Sequence, residues 1–177
     1  CGKAVDRMEI RIDSSDPFNQ VGEILTKGMN VMDGYYNNPE ASNTVLSPDG
    51  WLHTGDLGVL DPDGYLYIKG RSKSLILGPS GQNIYPEEIE DLLNAQPYIA
   101  ESLVIEREGK LVALVYPDAE AMKQNKISCE TLLKIIHETR KQINQQLPAY
   151  SQIARIEIHD EEFEKTPKRS IKRFLYQ

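Results

Sequence analysis

The sequence is poor in the residues that build disulfide frameworks and metal centres. Its 177 residues include two cysteines, Cys1 and Cys129, and three histidines. Two isolated cysteines provide neither a disulfide framework nor a zinc site, and the histidines show no metal-ligand spacing. We therefore expect no metal site formed by these residues, and the cysteine usage favours a reducing, cytoplasmic setting.

Long apolar runs and a strongly basic composition are also missing. No run approaches the roughly 18 apolar residues that would suggest a membrane span, and the first residues carry no signal-peptide pattern. The net charge is −7, from 27 acidic and 20 basic side chains. Nucleic acids select basic surfaces, so this charge argues against a nucleic acid as a partner.

Residues 1–69 are predicted to form a small β subdomain. Met8–Asp13 alternates apolar and polar side chains, which is the period of a half-buried strand. Asp61–Gly64 has strong turn chemistry and lies between two short apolar segments. Asn38 and Pro39 are expected to open a short helix between the strands.

Residues 70–177 are predicted to form an α+β domain with helices packed on a small, mostly antiparallel sheet. Pro86 is expected to begin one helix, and Ser128 to cap a longer one that stops at Pro148. The predicted strands are Glu101–Ile105 and Leu111–Val115, joined as a hairpin around Gly109, and Arg155–Ile158. The break between the two halves is placed at residues 70–73.

Four sequence segments carry the most specific signal. Gly50-Trp-Leu-His-Thr-Gly-Asp56 is followed by Gly70-Arg-Ser-Lys73, which leads into Gly81-Gln-Asn-Ile-Tyr-Pro-Glu-Glu-Ile-Glu90, and a tail reads Pro167-Lys-Arg-Ser-Ile-Lys172. In this order they resemble the C-terminal third of the adenylate-forming enzymes, which include acyl-CoA synthetases, luciferases and peptide-synthetase adenylation domains. The family's phosphate loop and its Tyr-Gly-x-Thr-Glu motif are absent from the sequence. We therefore expect the chain to be part of a longer enzyme and inactive alone.

The resemblance implies an enzyme that joins a carboxylate to ATP, releases pyrophosphate and passes the acyl group to CoA. ATP, Mg²⁺ and CoA are implied for the full-length enzyme, and none is required by this chain alone. Residues 1–69 would end the large N-terminal domain. Residues 70–177 would form the mobile C-terminal lid, with the rest of the large domain as its partner.

The resemblance also assigns roles to nucleotide-binding and hinge residues. Asp56 would accept hydrogen bonds from the ribose hydroxyls, and Arg71 would contact the ribose with its fork of donors. The alternatives are a carboxylate that caps a turn and an arginine in a surface ion pair. Lys73 matches the hinge position, where backbone angles change between the two reaction steps.

The resemblance places a CoA-binding loop at Gly78, Gly81 and Asn83, where glycine lets the backbone approach the pantetheine arm. The alternative is a plain turn before the helix that begins at Pro86. No residue is assigned to a metal.

Lys172 is the candidate catalytic residue, because adenylate formation needs fixed positive charge where the carboxylate attacks the α-phosphate. Ile171 replaces the glycine of the family's common tail, and the spacing from Pro167 is one residue shorter. The segment Thr166–Arg173 instead fits the tail common in long-chain fatty acid–CoA ligases, which favours a fatty acid substrate. Lys168 is the alternative if the register differs.

Other functions stay open. A lysine at the hinge also occurs in the luciferase-like group, so an aromatic acid or an amino acid is an alternative substrate. A non-catalytic binding module of the same fold is an alternative from another class. The retention of Asp56, Arg71 and Lys172 together argues against it.

Overall fold

The computed structural model describes residues 1–177, which divide into two compact units, Cys1–Ser74 and Leu75–Gln177. None of the helices combines the length and the apolar composition needed to cross a membrane. The resemblance implies that residues 70–177 form a mobile lid that begins at the predicted break. This mobility stays a prediction.

The first unit is a four-stranded antiparallel sheet in the order β1-β2-β3-β4. Ile12, Ile24 and Leu66 form its small core, with Ile10 and Leu60 packed against them. A short helix, α1, precedes β3, and the Asn38 side chain caps it by accepting a hydrogen bond from the backbone of Ala41. The elements are β1 (Met8–Asp13), β2 (Gly22–Gly28), α1 (Pro39–Val45), β3 (Leu52–Leu60) and β4 (Leu66–Arg71).

The second unit begins with a two-stranded hairpin and continues as helices on a three-stranded sheet. The long helix begins where Ser128 caps it and ends before Pro148, as the sequence predicts. The elements are β5 (Ile76–Leu77), β6 (Asn83–Ile84), α2 (Pro86–Asn94), β7 (Ile99–Arg107), β8 (Lys110–Pro117), α3 (Ala119–Gln124), α4 (Cys129–Gln146) and β9 (Ile153–Ile158).

The larger sheet has the order β7-β8-β9 and confirms the predicted α+β class. Strands β7 and β8 form the predicted antiparallel hairpin, whose turn places Glu108 and Gly109 at positive φ. Strand β9 runs parallel to β8, because α3 and α4 intervene and carry the chain back to the same end of the sheet. The sheet is therefore mixed rather than wholly antiparallel.

Each face of this sheet is covered by a different part of the chain. Helices α2 and α4 cover one face with Ile89, Leu93 and Ile143, which pack against residues of all three strands. The segment after β9 covers the other face, where the buried ring of Phe163 belongs to the same hydrophobic cluster as Leu103. The C-terminal segment is thus part of the packed structure of this unit.

Candidate functional site

Asp56 and Arg71 lie side by side on neighbouring strands. They are direct cross-strand partners in β3 and β4, and the Arg71 Nε atom lies 2.9 Å from the Asp56 Oδ1 atom. The Arg71 side chain is 66% exposed and that of Asp56 is 29% exposed. The structure therefore brings the two predicted nucleotide-binding residues together as an ion pair that faces solvent on the arginine side.

A bulge in β3 sets the position of Asp56. Residues 54–56 lie opposite the single residue Ile24, since Glu23 pairs with Leu57 and Leu25 pairs with His53. Gly55 adopts a φ of 73°, a left-handed conformation that favours glycine. Bulges of this kind redirect side chains, and here the redirected side chain is that of Asp56.

Hydrogen bonds to β2, and one within the bulge, hold this bulge in place. The Thr54 hydroxyl donates to the Ile24 carbonyl at 2.8 Å and accepts from the Asp56 backbone N–H at 3.1 Å. The Glu23 carboxylate accepts from the Gly55 N–H at 3.0 Å, and its second oxygen lies 2.9 Å from His53 Nδ1. Sequence reasoning missed Glu23, because its role depends on the register between β2 and β3. The Gly22-Glu23 sequence at the start of β2 was the signal that could have identified Glu23.

Lys73 lies in a single 3₁₀ turn, Ser72–Ser74, which directly follows β4. It is exposed to solvent, and the first compact unit ends at the next residue. Its role as a hinge stays a prediction.

The predicted CoA-binding loop is the turn that joins β5 and β6. The Gly78 N–H donates to the Gln82 carbonyl at 2.8 Å, and the Gly81 N–H donates to the Gly78 carbonyl at 2.9 Å. Gly81 has a φ of 80°, and no atom lies within 4 Å of the position that a Cβ would take. Asn83 is exposed at the start of β6. The loop is thus an ordered turn with open space beside Gly81.

A largely apolar cleft of about 390 Å³ lies beside this loop within the second unit. The hairpin supplies one wall, the β7–β8 turn a second, and the segment before β9 a third. The lining includes Ile76, Leu77, Pro79, Lys110, Tyr150 and Ala154.

Lys172 lies at the base of a tight loop that spans residues 164–172. Its backbone N–H donates to the Glu164 carbonyl at 2.8 Å, and its ammonium lies 3.1 Å from the Glu164 carboxylate. The Lys172 side chain is 33% exposed. Lys168, the alternative candidate, is exposed at the tip of the same loop.

A second lysine ties this loop to the sheet. Lys165 lies 2.5 Å from a carboxylate oxygen of Glu101 in β7 and also contacts Glu162. Hydrogen bonds to Glu101 first, and then to Glu162, raise the pKa of Lys165 above its ordinary value. The loop is therefore tied to acidic side chains at two points, Lys165 and Lys172.

No three His, Cys, Asp or Glu side chains among residues 1–177 are grouped so that they could hold a metal ion. Mg²⁺ at nucleotide sites is usually held by one or two carboxylates together with substrate phosphates, so we assign no residue of the chain to the ion. The predicted site residues fall into two sets, with Asp56, Arg71 and Lys73 on the first unit and Lys172 and the glycine loop on the second.

The family model of the AMP-binding enzyme C-terminal domain matches residues 73–176. The chain belongs to this family. The match begins at Lys73 and includes both the glycine loop and Lys172.

Curated relatives of the chain are acid–CoA ligases. An indoleacetate–CoA ligase of Aromatoleum aromaticum is 44% identical over 122 residues, which cover 64% of this chain and 24% of the relative. A 2-succinylbenzoate–CoA ligase of Bacillus cereus is 38% identical over 141 residues, or 77% of this chain and 28% of the relative. A sulfoacetate–CoA ligase of Cupriavidus necator is 47% identical over 89 residues, or 50% of this chain and 17% of the relative. The chain thus spans about a quarter of the length of the relatives it matches, or less.

Solved structures agree with this assignment. An o-succinylbenzoate CoA synthetase from Bacillus subtilis in complex with AMP is 30% identical, with a TM-score of 0.76 over 99% of this chain and 34% of that one. The same synthetase with ATP and magnesium ion gives 31% identity and a TM-score of 0.75, over 98% of this chain and 34% of that one. The fold of the chain is that of a CoA-ligase C-terminal portion.

Proposed function

We propose that this chain is the C-terminal portion of an acid–CoA ligase that works through an acyl-adenylate. In the first step the substrate carboxylate attacks the α-phosphate of ATP and pyrophosphate leaves. In the second step the CoA thiol, after losing its proton, attacks the acyl carbonyl and AMP leaves. The family match and the ligase relatives support this proposal.

The Asp56–Arg71 pair is the observation that carries it. Arg71 contacts Asp56 through Nε, so the two terminal nitrogens of its guanidinium remain at the exposed end of the side chain. A carboxylate and an arginine fork placed side by side suit a ribose, because Asp56 accepts from the hydroxyls while Arg71 donates to sugar or phosphate oxygens. An ion pair that served only as a surface contact would not require the bulge in β3 to orient Asp56.

Lys172 supplies the positive charge in the adenylation step. Its present partner, Glu164, is a 64%-exposed carboxylate, and exposed ion pairs contribute about 0–1 kcal/mol. An incoming phosphate with more negative charge can therefore displace Glu164 at little cost. Lysine suits this task because its ammonium is a compact charge on a long flexible stem.

The β5–β6 turn provides the approach for CoA. The open space at Gly81 lets a thin chain pass close to the backbone, and the apolar cleft beside the turn offers a surface for the pantetheine arm.

We further propose that the acid is an aromatic or other compact acid rather than a long-chain fatty acid. The relatives described above are named for indoleacetate, 2-succinylbenzoate and sulfoacetate. The Thr166–Arg173 segment, which favoured a fatty acid, forms the loop that carries Lys172. Its pattern therefore bears on adenylation rather than on recognition of the acyl group.

Acid-dependent ATP–pyrophosphate exchange by the complete enzyme tests this proposal. The acids would be indoleacetate, 2-succinylbenzoate, sulfoacetate and palmitate, and we expect kcat/KM to be highest for an aromatic acid and at least about tenfold lower for palmitate. A preference for palmitate would overturn the substrate proposal. Asp56→Asn should raise the KM for ATP by roughly tenfold. An unchanged KM would remove Asp56 from the nucleotide site.

A further inference from the structure

The side chain that follows Lys172 is buried against the body of the second unit. Arg173 is 19% exposed in its side chain, and its guanidinium contacts the carboxylate of Glu90 in α2. The same guanidinium donates to the Val104 carbonyl at 3.3 Å and lies 3.6 Å from a carboxylate oxygen of Glu87. Arg173 therefore bridges a helix and a strand.

Glu90 completes the arrangement from the other side. Its carboxylate accepts a hydrogen bond from the Val104 N–H at 2.6 Å, and its side chain is 11% exposed. Val104 lies in β7, an edge strand of the three-stranded sheet. Glu90 and Arg173 thus satisfy both backbone polar groups of one edge residue, which would otherwise be costly to bury.

Both ends of the loop that carries Lys172 are fixed. At its start the ring of Phe163 is buried in the core, and Lys165 contacts Glu101 in β7. At its end Arg173 is held by Glu90. Lys172 is adjacent to this second anchor, so a shift of Arg173 moves the backbone from which the Lys172 side chain extends.

The chemistry of the anchor is specific for arginine. A planar guanidinium can reach Glu90 and the Val104 carbonyl together through separate N–H groups, whereas an ammonium concentrates its donors at one point. Buried ion pairs add little net stability, because desolvation offsets their attraction. Because the Arg173–Glu90 pair is expected to add little stability, we interpret it as a contact that fixes the geometry of the loop.

We propose that Arg173, held by Glu90, is a positioning residue that places Lys172 for adenylate formation. This inference rests on the proposed role of Lys172. Helix α2, which carries Glu90, begins two residues after β6 and the CoA-binding turn. The anchor therefore joins the Lys172 loop to the same rigid element that follows the CoA loop.

The test uses the complete enzyme with Arg173→Lys and, separately, Glu90→Gln, which keeps an acceptor for the Val104 N–H and loses the charge. We expect kcat for acid-dependent ATP–pyrophosphate exchange to fall by about tenfold to 100-fold, since small displacements of catalytic groups have effects of this size. The KM for ATP and the rate of thioester formation from supplied acyl-adenylate should stay within about twofold. Arg169→Lys, the same substitution at an exposed position of the same loop, is the matched control and should change neither rate.

A double-mutant cycle separates positioning from a purely structural role. In a Lys172→Ala background, Arg173→Lys should leave the residual exchange rate unchanged within about twofold, because a residue that acts through Lys172 has nothing left to position. The same fold loss in both backgrounds would overturn the proposal, and so would parallel loss of both half-reactions in Arg173→Lys or Glu90→Gln. Full exchange activity in the single variant Lys172→Ala would overturn the proposed role of Lys172 in adenylation as well. Failure of the positioning proposal can therefore be distinguished from failure of the proposed function.

Discussion

Among individual residues, Gly55 shows how backbone conformation sets the position of Asp56, a predicted nucleotide-binding residue. Its positive φ allows β3 to bulge at Thr54–Asp56, and the bulge turns the Asp56 carboxylate toward Arg71. No atom lies within 4 Å of the position that a Cβ would take, so a side chain there meets no steric clash. The requirement for glycine at this position is therefore conformational.

Gly55→Ala should lower the free energy of unfolding by roughly 1–2 kcal/mol, the cost of a left-handed conformation for a residue with a Cβ. It should also raise the KM for ATP, since relaxation of the bulge moves Asp56. Thermal denaturation and ATP titration of the complete enzyme measure the two effects.

Gly64→Ala is the matched control for this prediction. Gly64 has a φ of 83° and equally open surroundings, but it lies in the Asp61–Gly64 turn. Its replacement should cost similar stability and leave the KM for ATP unchanged. An equal rise in KM for both variants would show that the effect is general destabilisation rather than displacement of Asp56.

Candidate site residues could be named from the sequence only where they belong to a contiguous motif. The Thr54-Gly-Asp56 sequence pointed to Asp56 and the next motif to Arg71, and the structure places these two residues side by side, while their roles stay predictions. Glu23 and Glu164 were not identified, because each acts across a register or a loop that the linear sequence does not display. Arg173 was named only as the last residue of the Thr166–Arg173 segment, without a role of its own.

Among the secondary-structure elements, α2 is the one that carries the buried carboxylate of Glu90. Burial raises the pKa of Glu90 above its ordinary value of 4.5, and the nearby Arg173 and the hydrogen bond from Val104 only partly oppose this. Because the folded state then binds the Glu90 proton more tightly than the unfolded state does, the contribution of Glu90 to stability falls as the pH rises above about 4.5.

The difference in stability between the wild-type protein and Glu90→Gln should therefore shift against the wild type as the pH increases from 4 to 7. Glutamine does not titrate, so the change in the difference reports Glu90 alone. Denaturation midpoints of both proteins over this pH range provide the measurement. A shift in the opposite direction would mean that pairing with Arg173 outweighs burial and lowers the pKa of Glu90.

The elements themselves were predictable where their signals are local. Pro86 and Ser128 begin helices, and the hairpin around Gly109 has the expected strands. The parallel pairing of β9 was not predicted, because it depends on the path of α3 and α4 across the sheet rather than on the residues of β9. Helix α3 is short, and its signal was not recognised.

At the scale of the whole molecule, we predict that residue 73 is the pivot between a state for adenylation and a state for thioester formation. Lys73→Pro fixes φ near −65° and removes a backbone donor. If the backbone must turn at this residue, adenylation should survive within about threefold while thioester formation from supplied acyl-adenylate falls by about tenfold or more. Rates of both half-reactions and the Tm of the complete enzyme check this.

Lys73→Ala is the companion variant, since it removes the side chain without restricting the backbone. Its effect on thioester formation should be smaller than that of Lys73→Pro. Normal thioester formation with proline at position 73 would place the pivot elsewhere, with Gly70 and Gly78 as the next candidates. The Tm should change little, because Lys73 is exposed and outside both hydrophobic cores.

The most direct test of the whole account compares Lys172→Ala with Lys168→Ala in the complete enzyme. The two lysines share one loop, but Lys172 lies at its base beside Glu164 and Lys168 lies exposed at its tip. We predict that acid-dependent ATP–pyrophosphate exchange falls on the order of 10² to 10³-fold in Lys172→Ala and stays within about twofold in Lys168→Ala. Thioester formation from supplied acyl-adenylate should be largely retained in both. Near-normal exchange in Lys172→Ala, or a larger loss in Lys168→Ala, would contradict the assignment of Lys172 as the lysine of adenylate formation.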